Sequence, residues 1–166
     1  SVYEGDETAT IAINGVTGKT GVAENSTPQS VTITISENES SPTVTLASSA
    51  SSIAENSGST ITLTATISQV ADEDVTVSID GTGGTATEGT DFGTVSDITV
   101  SAGATTGTAT LDPTDDSVYE GNETAVIAIS GVSGADAVES GSQSETITIT
   151  ENESAPTITL TSSASS

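Results

Sequence analysis

The chain has 166 residues, 24 of them acidic against one cation, Lys19, for a formal net charge of −23. That balance makes nucleic acid and anionic membrane surfaces poor partners, and the absence of His and Cys removes the usual zinc and copper ligands and the usual acid–base and thiol catalysts. No apolar run approaches the ~18 residues that cross a membrane, and no signal peptide is present, as expected of an internal fragment.

In chain order, the first block is the acidic stretch Ser1-Val2-Tyr3-Glu4-Gly5-Asp6-Glu7-Thr8, with Glu37-Asn38-Glu39 further on. Strand signals follow. Thr43-Val44-Thr45-Leu46, Ile61–Ile67, Val75–Ile79 and Thr146–Thr150 alternate Val, Ile or Leu with Thr or Ser. Period two puts the apolar side chains on one face and the polar ones on the other, which is a half-buried strand. Thr suits the outer face because it is β-branched and polar. Ala125–Ile129 reads as another strand, and Ile98–Val100 and Thr108–Leu111 as shorter ones. Turns rich in Gly, Asp, Asn and Ser lie between them. No segment keeps a helical period. About seven strands in about 110 residues predict an all-β, immunoglobulin-like antiparallel sandwich. Its core is light: Phe92 is the only Phe, and Trp and Met are absent. The predicted apo domain is marginal and gains stability from bound ions.

The chain also repeats itself. Residues 1–8 return as Ser117-Val118-Tyr119-Glu120-Gly121-Asn122-Glu123-Thr124, offset by 116, and Glu37–Pro42 returns as Glu151-Asn152-Glu153-Ser154-Ala155-Pro156, offset by 114. Self-similarity at this period predicts a tandem array of domains. Residues 1–40 read as the C-terminal part of a preceding unit, 41–154 as a complete unit, and 155–166 as the first strand of a following one.

The repeated blocks hold the acidic residues. Asp115, Asp116, Glu120 and Glu123 put four carboxylates in nine residues between two strands. Such a loop suits a hard cation, and calcium accepts six to eight oxygens in flexible geometry. The EF-hand spacing is absent. Four glycosylation sequons, at Asn25, Asn38, Asn122 and Asn152, read as chance because two overlap the proposed calcium sites of the complete unit.

Three motifs in order carry a resemblance: Glu55-Asn56, then Gly84-Thr85-Ala86-Thr87-Glu88-Gly89-Thr90-Asp91-Phe92, then Asp115-Asp116 with Glu120 and Glu123. With them, residues 42–153 resemble the Calx-β domain of sodium–calcium exchangers, integrin β4 and large bacterial surface proteins, and 1–40 resemble its C-terminal portion. The resemblance implies Ca2+ at one end of the sandwich, held by the side chains of Glu55, Asp91, Asp115, Asp116, Glu120 and Glu123 and by the carbonyl of Val118. Glu151 and Glu153 stand where strong binders carry an Asp run, a departure that implies two ions rather than four. Glu4, Glu7, Glu37 and Glu39 are the same positions in the N-terminal copy.

The expected function is a calcium-stabilised structural spacer of an extracellular bacterial adhesin or surface fibre, and not an enzyme. Its partners are neighbouring repeats and other copies in a fibre. The alternatives are a self-associating or adhesive binding module and a calcium sensor.

Overall fold

The computed structural model describes residues 2–25, 27 and 29–163. Ser26 of the first sequon and the end of the tail (164–166) lie outside them. Among the described residues eleven strands form in chain order: β1 (Glu7–Ala12), β2 (Ser30–Ile35), β3 (Thr43–Ser48), β4 (Ser52–Ala54), β5 (Ile61–Ile67), β6 (Val75–Gly84), β7 (Ile98–Val100), β8 (Thr106–Leu111), β9 (Glu123–Ser133), β10 (Val138–Glu139) and β11 (Ser144–Thr150). One sheet has the order β10-β3-β5-β8 and faces a second of order β4-β11-β9-β6-β7, while β1 and β2 pair apart.

The period-two expectation holds strand by strand. In β5, Ile61, Leu63, Ala65 and Ile67 are buried while Thr62, Thr64 and Thr66 are not. Between the sheets they meet Val44 and Leu46 of β3, Val75, Val77 and Ile79 of β6, Ala125 and Ile127 of β9, and Ile147 and Ile149 of β11. Each such Val, Ile or Leu contributes ~1.5–3 kcal/mol of burial. Phe92, 1% exposed, is the sole large aromatic the complete unit adds to this core.

The seven strands expected in the complete unit all form. Two short ones join them at the sheet edges, and both pair in parallel: β4 with β11 and β10 with β3. The sandwich is therefore antiparallel in its body and parallel at two margins.

The β1–β2 hairpin copies β9–β11. Glu7 faces Ile35 as Glu123 faces Ile149, and Ala9 faces Ile33 as Ala125 faces Ile147. What differs is cover. Ile127 is fully buried in the sandwich, whereas its counterpart Ile11 is 59% exposed. At the other end, residues 155–163 form no strand. There Ile158, at the position Val44 holds in the complete unit, is 98% exposed where Val44 is fully buried.

Candidate metal centre

Topology brings the acidic residues to one end of the sandwich. Strand β11 ends at Thr150 beside the end of β4 at Ala54, so Glu151 and Glu55 leave the sheet side by side. Antiparallel β9 begins opposite, with Glu123 facing Ile149. Strand β6 runs up to this end too, where Gly84 pairs with Ala125. The following loop lies across the start of β9, because the N–H groups of Thr85 and Ala86 both donate to the Thr124 carbonyl, at 2.9 and 3.0 Å. Gly84 permits this: its φ is +97°, and a Cβ there would sit 1.9 Å from the Thr124 oxygen. The loop then carries Asp91 to the side of Glu123, while Thr87 N–H donates to Asp91 Oδ2 at 2.6 Å.

Two groups of carboxylates result. Glu55, Glu151 and Glu153 bring one oxygen each to within 4.8 Å of one another, and so do Asp91, Glu120 and Glu123. Asp115 and Asp116 are exposed beside the first group rather than in it. The Asp116 N–H donates to Glu55 Oε1 at 3.2 Å, and its Oδ1 accepts the Val118 N–H at 2.6 Å, so Asp116 shapes the turn. The Val118 side chain is exposed.

The electrostatics show the cost of this crowding. Burial first, and then the charges of Glu151, Asp116 and Asp115, hold the Glu55 carboxyl above its ordinary value. Burial and the charge of Asp91 raise Glu120 and Glu123 in the same way. Glu153 is pushed up to about 7, first by the adjoining Glu151 carboxylate and then by burial. Its Oε2 is fully buried and has no hydrogen-bond partner among the described residues. Glu151 moves the other way, to about 2, because backbone N–H groups, those of Glu153 and Glu120 first, donate to it.

Hard oxygen donors, net negative charge and an orphaned buried carboxylate oxygen fit a calcium-type cation. The chain's only cation, Lys19, belongs to the β1–β2 connection and not to this end.

Among the described residues the N-terminal copy does not reproduce the groups. Neither includes Glu4, Glu7, Glu37 or Glu39. Each group in the complete unit takes one member, Glu55 or Asp91, from a segment that has no counterpart in residues 2–40. One contributor escaped sequence reasoning. Asn122 Oδ1 accepts the Glu151 N–H at 3.0 Å, as Asp6 Oδ1 accepts that of Glu37 at 2.8 Å. The signal was the Asp6/Asn122 exchange inside the repeated block, since both side chains offer an acceptor at the same place.

Comparison with known proteins bears on the whole unit. The family described as the Calx-beta domain matches residues 37–153. Among solved structures, the apo-form Calx CBD1 domain superposes with a TM-score of 0.54 at 19% identity, over 68% of this chain and 99% of that one. CBD12 from CALX1.2 gives 0.52 at 22% identity, over 60% of this chain and 40% of that one. At these identities the likeness is one of fold. No match is found among the curated proteins.

Proposed function

Residues 37–153 make this chain a member of the Calx-beta family, a non-catalytic binding module that often takes calcium, and on that premise we propose that it is a calcium-stabilised structural spacer of an extracellular bacterial adhesin or surface fibre. One observation supports the reading most. Six carboxylates in two groups meet at the end of the sandwich where residues 151–156 lead out of the complete unit, and one of their oxygens is buried without a partner.

Glu55 and Glu153 would hold one ion beside Glu151, whose carboxylate is engaged by four N–H groups, and Asp91, Glu120 and Glu123 another, with Asp115 and Asp116 next to the first group. A bound cation supplies the positive charge that offsets the repulsion within each group. The chain's own part is to fix the donors. The 3-10 turn Glu55–Ser57 sets Glu55 against β11. The four N–H groups on Glu151 tie the acidic loop to the residues that leave the sandwich. Cation binding at this point stiffens the exit from the unit, which is what a spacer requires.

Calcium titration calorimetry on the whole chain, with thermal melts, tests this. Binding in the ~10⁻⁴–10⁻³ M range of extracellular modules, with a rise in melting temperature, supports the spacer. Micromolar or tighter binding favours a calcium sensor. No binding and an unchanged melt overturn both.

A second reading, a self-associating module, has its own observation. The hairpin leaves Ile11, Ile33 and Ile35 exposed on one face. Light scattering at several concentrations separates it from a monomeric spacer.

A further inference from the structure

The two tyrosines occupy the same place in the repeated loop and have opposite surroundings. Tyr3 is 7% exposed and Tyr119 is 44% exposed. Tyr3 belongs to the hairpin segment, yet its side chain counts among the core residues of the sandwich that follows. Its N–H donates to the Val70 carbonyl at 2.9 Å, its carbonyl accepts the Asp72 N–H at 3.2 Å, and it bridges Ala71 in parallel, as a strand residue would. The phenol donates to Asp136 Oδ2 at 2.9 Å and accepts from Ser41 Oγ at 3.4 Å.

This socket lies at the far end of the sandwich from the carboxylates. Residues 70–72 precede β6, and Asp136 follows β9 beyond the pairing of Ser133 with Thr76. The turn that presents Asp136 is strained. Gly134, Ala135 and Asp136 run through left-handed conformation at φ +93°, +50° and +47°, unusual for the latter two. Gly134 also packs against backbone, since a Cβ there would lie 2.1 Å from the Asp74 carbonyl oxygen. Glu73 supports the turn by accepting the Ala135 N–H.

We propose that this tyrosine is a plug that locks each unit head to tail onto the next: Tyr3 seats in the Val70–Asp72/Asp136 socket, and Tyr119 is the same plug for a second copy of the unit placed beyond residue 154. The occupant follows from the internal duplication. The loop that carries Tyr119 has the backbone of the loop that carries Tyr3: Gly121 and Gly5 have φ of +81° and +75°, and the carboxylate of Glu151 or Glu37 accepts two N–H groups of the loop in each case. Pro156 and Ile158 follow as Pro42 and Val44 do, and a second copy would cover the Ile158 and Leu160 side chains that now face solvent. Ala155 replaces Ser41, so the second plug keeps the Asp136-type contact and loses the weaker hydroxyl one. The inference takes its occupant from the tandem-spacer reading and does not depend on calcium.

The chain has no cysteine, so paired spin labels can be placed at Thr10→Cys on the hairpin and Thr108→Cys on the sandwich, both exposed positions. Pulsed electron spin resonance on the full chain, in calcium and in chelator, should give one narrow distance distribution. Tyr3→Ala should destroy that single peak while the circular dichroism of the sandwich persists. Tyr3→Phe should broaden it less, and Tyr119→Ala should leave it unchanged. In a chain extended after Ser166 by a copy of residues 53–154, with one label on each sandwich, Tyr119→Ala should in turn broaden the distance. An unchanged peak in Tyr3→Ala overturns the plug, and an effect at Tyr3 without one at Tyr119 overturns its repetition. Either failure is independent of whether calorimetry detects calcium.

Discussion

Glu37 and Glu151 make the same four backbone hydrogen bonds in the two copies. Glu37 accepts the N–H groups of Glu4, Gly5, Asn38 and Glu39, and Glu151 those of Glu120, Gly121, Asn152 and Glu153, at 2.6 to 3.0 Å. Four donors match the acceptor sites of one carboxylate. The repeated glutamate therefore organises the loop, and it does so in the N-terminal copy, where no such carboxylate group forms among the described residues.

Glu151→Gln should show this. An amide has one acceptor oxygen, so two of the four N–H groups lose their partner. We expect faster amide exchange at one pair of donors, Glu120 and Gly121 or Asn152 and Glu153, a lower melting temperature without calcium, and weaker calcium binding. Exchange measured by NMR and calorimetry check the two effects separately. Unchanged exchange at both pairs would show that the loop is held by other contacts.

Gly84→Ala should displace the loop that carries Asp91. A Cβ at 1.9 Å from the Thr124 oxygen, at positive φ, forces the backbone to move. The strain alone costs about 1–3 kcal/mol, and calcium binding should weaken with it. Gly89→Ala is the control. Its φ is also positive, but a Cβ there meets nothing within 4 Å, so it should destabilise less in chemical denaturation.

Phe92→Ala removes the one phenylalanine of a core otherwise built from Val, Ile, Leu and Ala with Tyr3 and Pro42. Truncations of this kind cost about 3–5 kcal/mol, a large part of a small domain's stability. We expect the variant to be unfolded in chelator and partly rescued by calcium, as read by circular dichroism.

Stability in chelator should fall between pH 4.5 and pH 7. Glu153 titrates at about 7 in the folded chain against an ordinary 4.5, so within that window the folded state holds the proton that the unfolded state has lost, and unfolding becomes easier as pH rises. Glu55, Glu120 and Glu123 are shifted in the same direction. Glu37 and Glu151, at about 2, act oppositely: their contribution is complete above 4.5 and disappears as pH falls through 2. Denaturant midpoints at pH 5 and pH 8 check the first statement, and Glu153→Gln should flatten the difference. Calcium binding near pH 6.5 should release protons, visible as a buffer-dependent calorimetric heat.

Much of this was legible in the sequence because it is local. Alternation of Val or Ile with Thr marks a strand within five residues, and all seven strands expected of the complete unit form. The β4 and β10 edges were not legible, since runs of three and two residues carry no period and their parallel partners lie far along the chain. Of the metal ligands expected in the complete unit, Glu55, Asp91, Glu120, Glu123, Glu151 and Glu153 come together, whereas Asp115 and Asp116 stand beside them. Adjacency in sequence could not distinguish these cases, because the grouping depends on which strand ends meet.

By itself, then, the sequence determined the all-β class, the duplicated loop, the strand faces and the concentration of carboxylates, all of which follow from side-chain chemistry at short spacing. Tertiary structure alone decided that Glu55 meets Glu151 across β4 and β11, that Glu153 loses solvent from one oxygen, and that Tyr3 is buried while Tyr119 is not. These depend on pairing between distant segments and on which surfaces a neighbouring unit covers, and neither is encoded in the residues near the site.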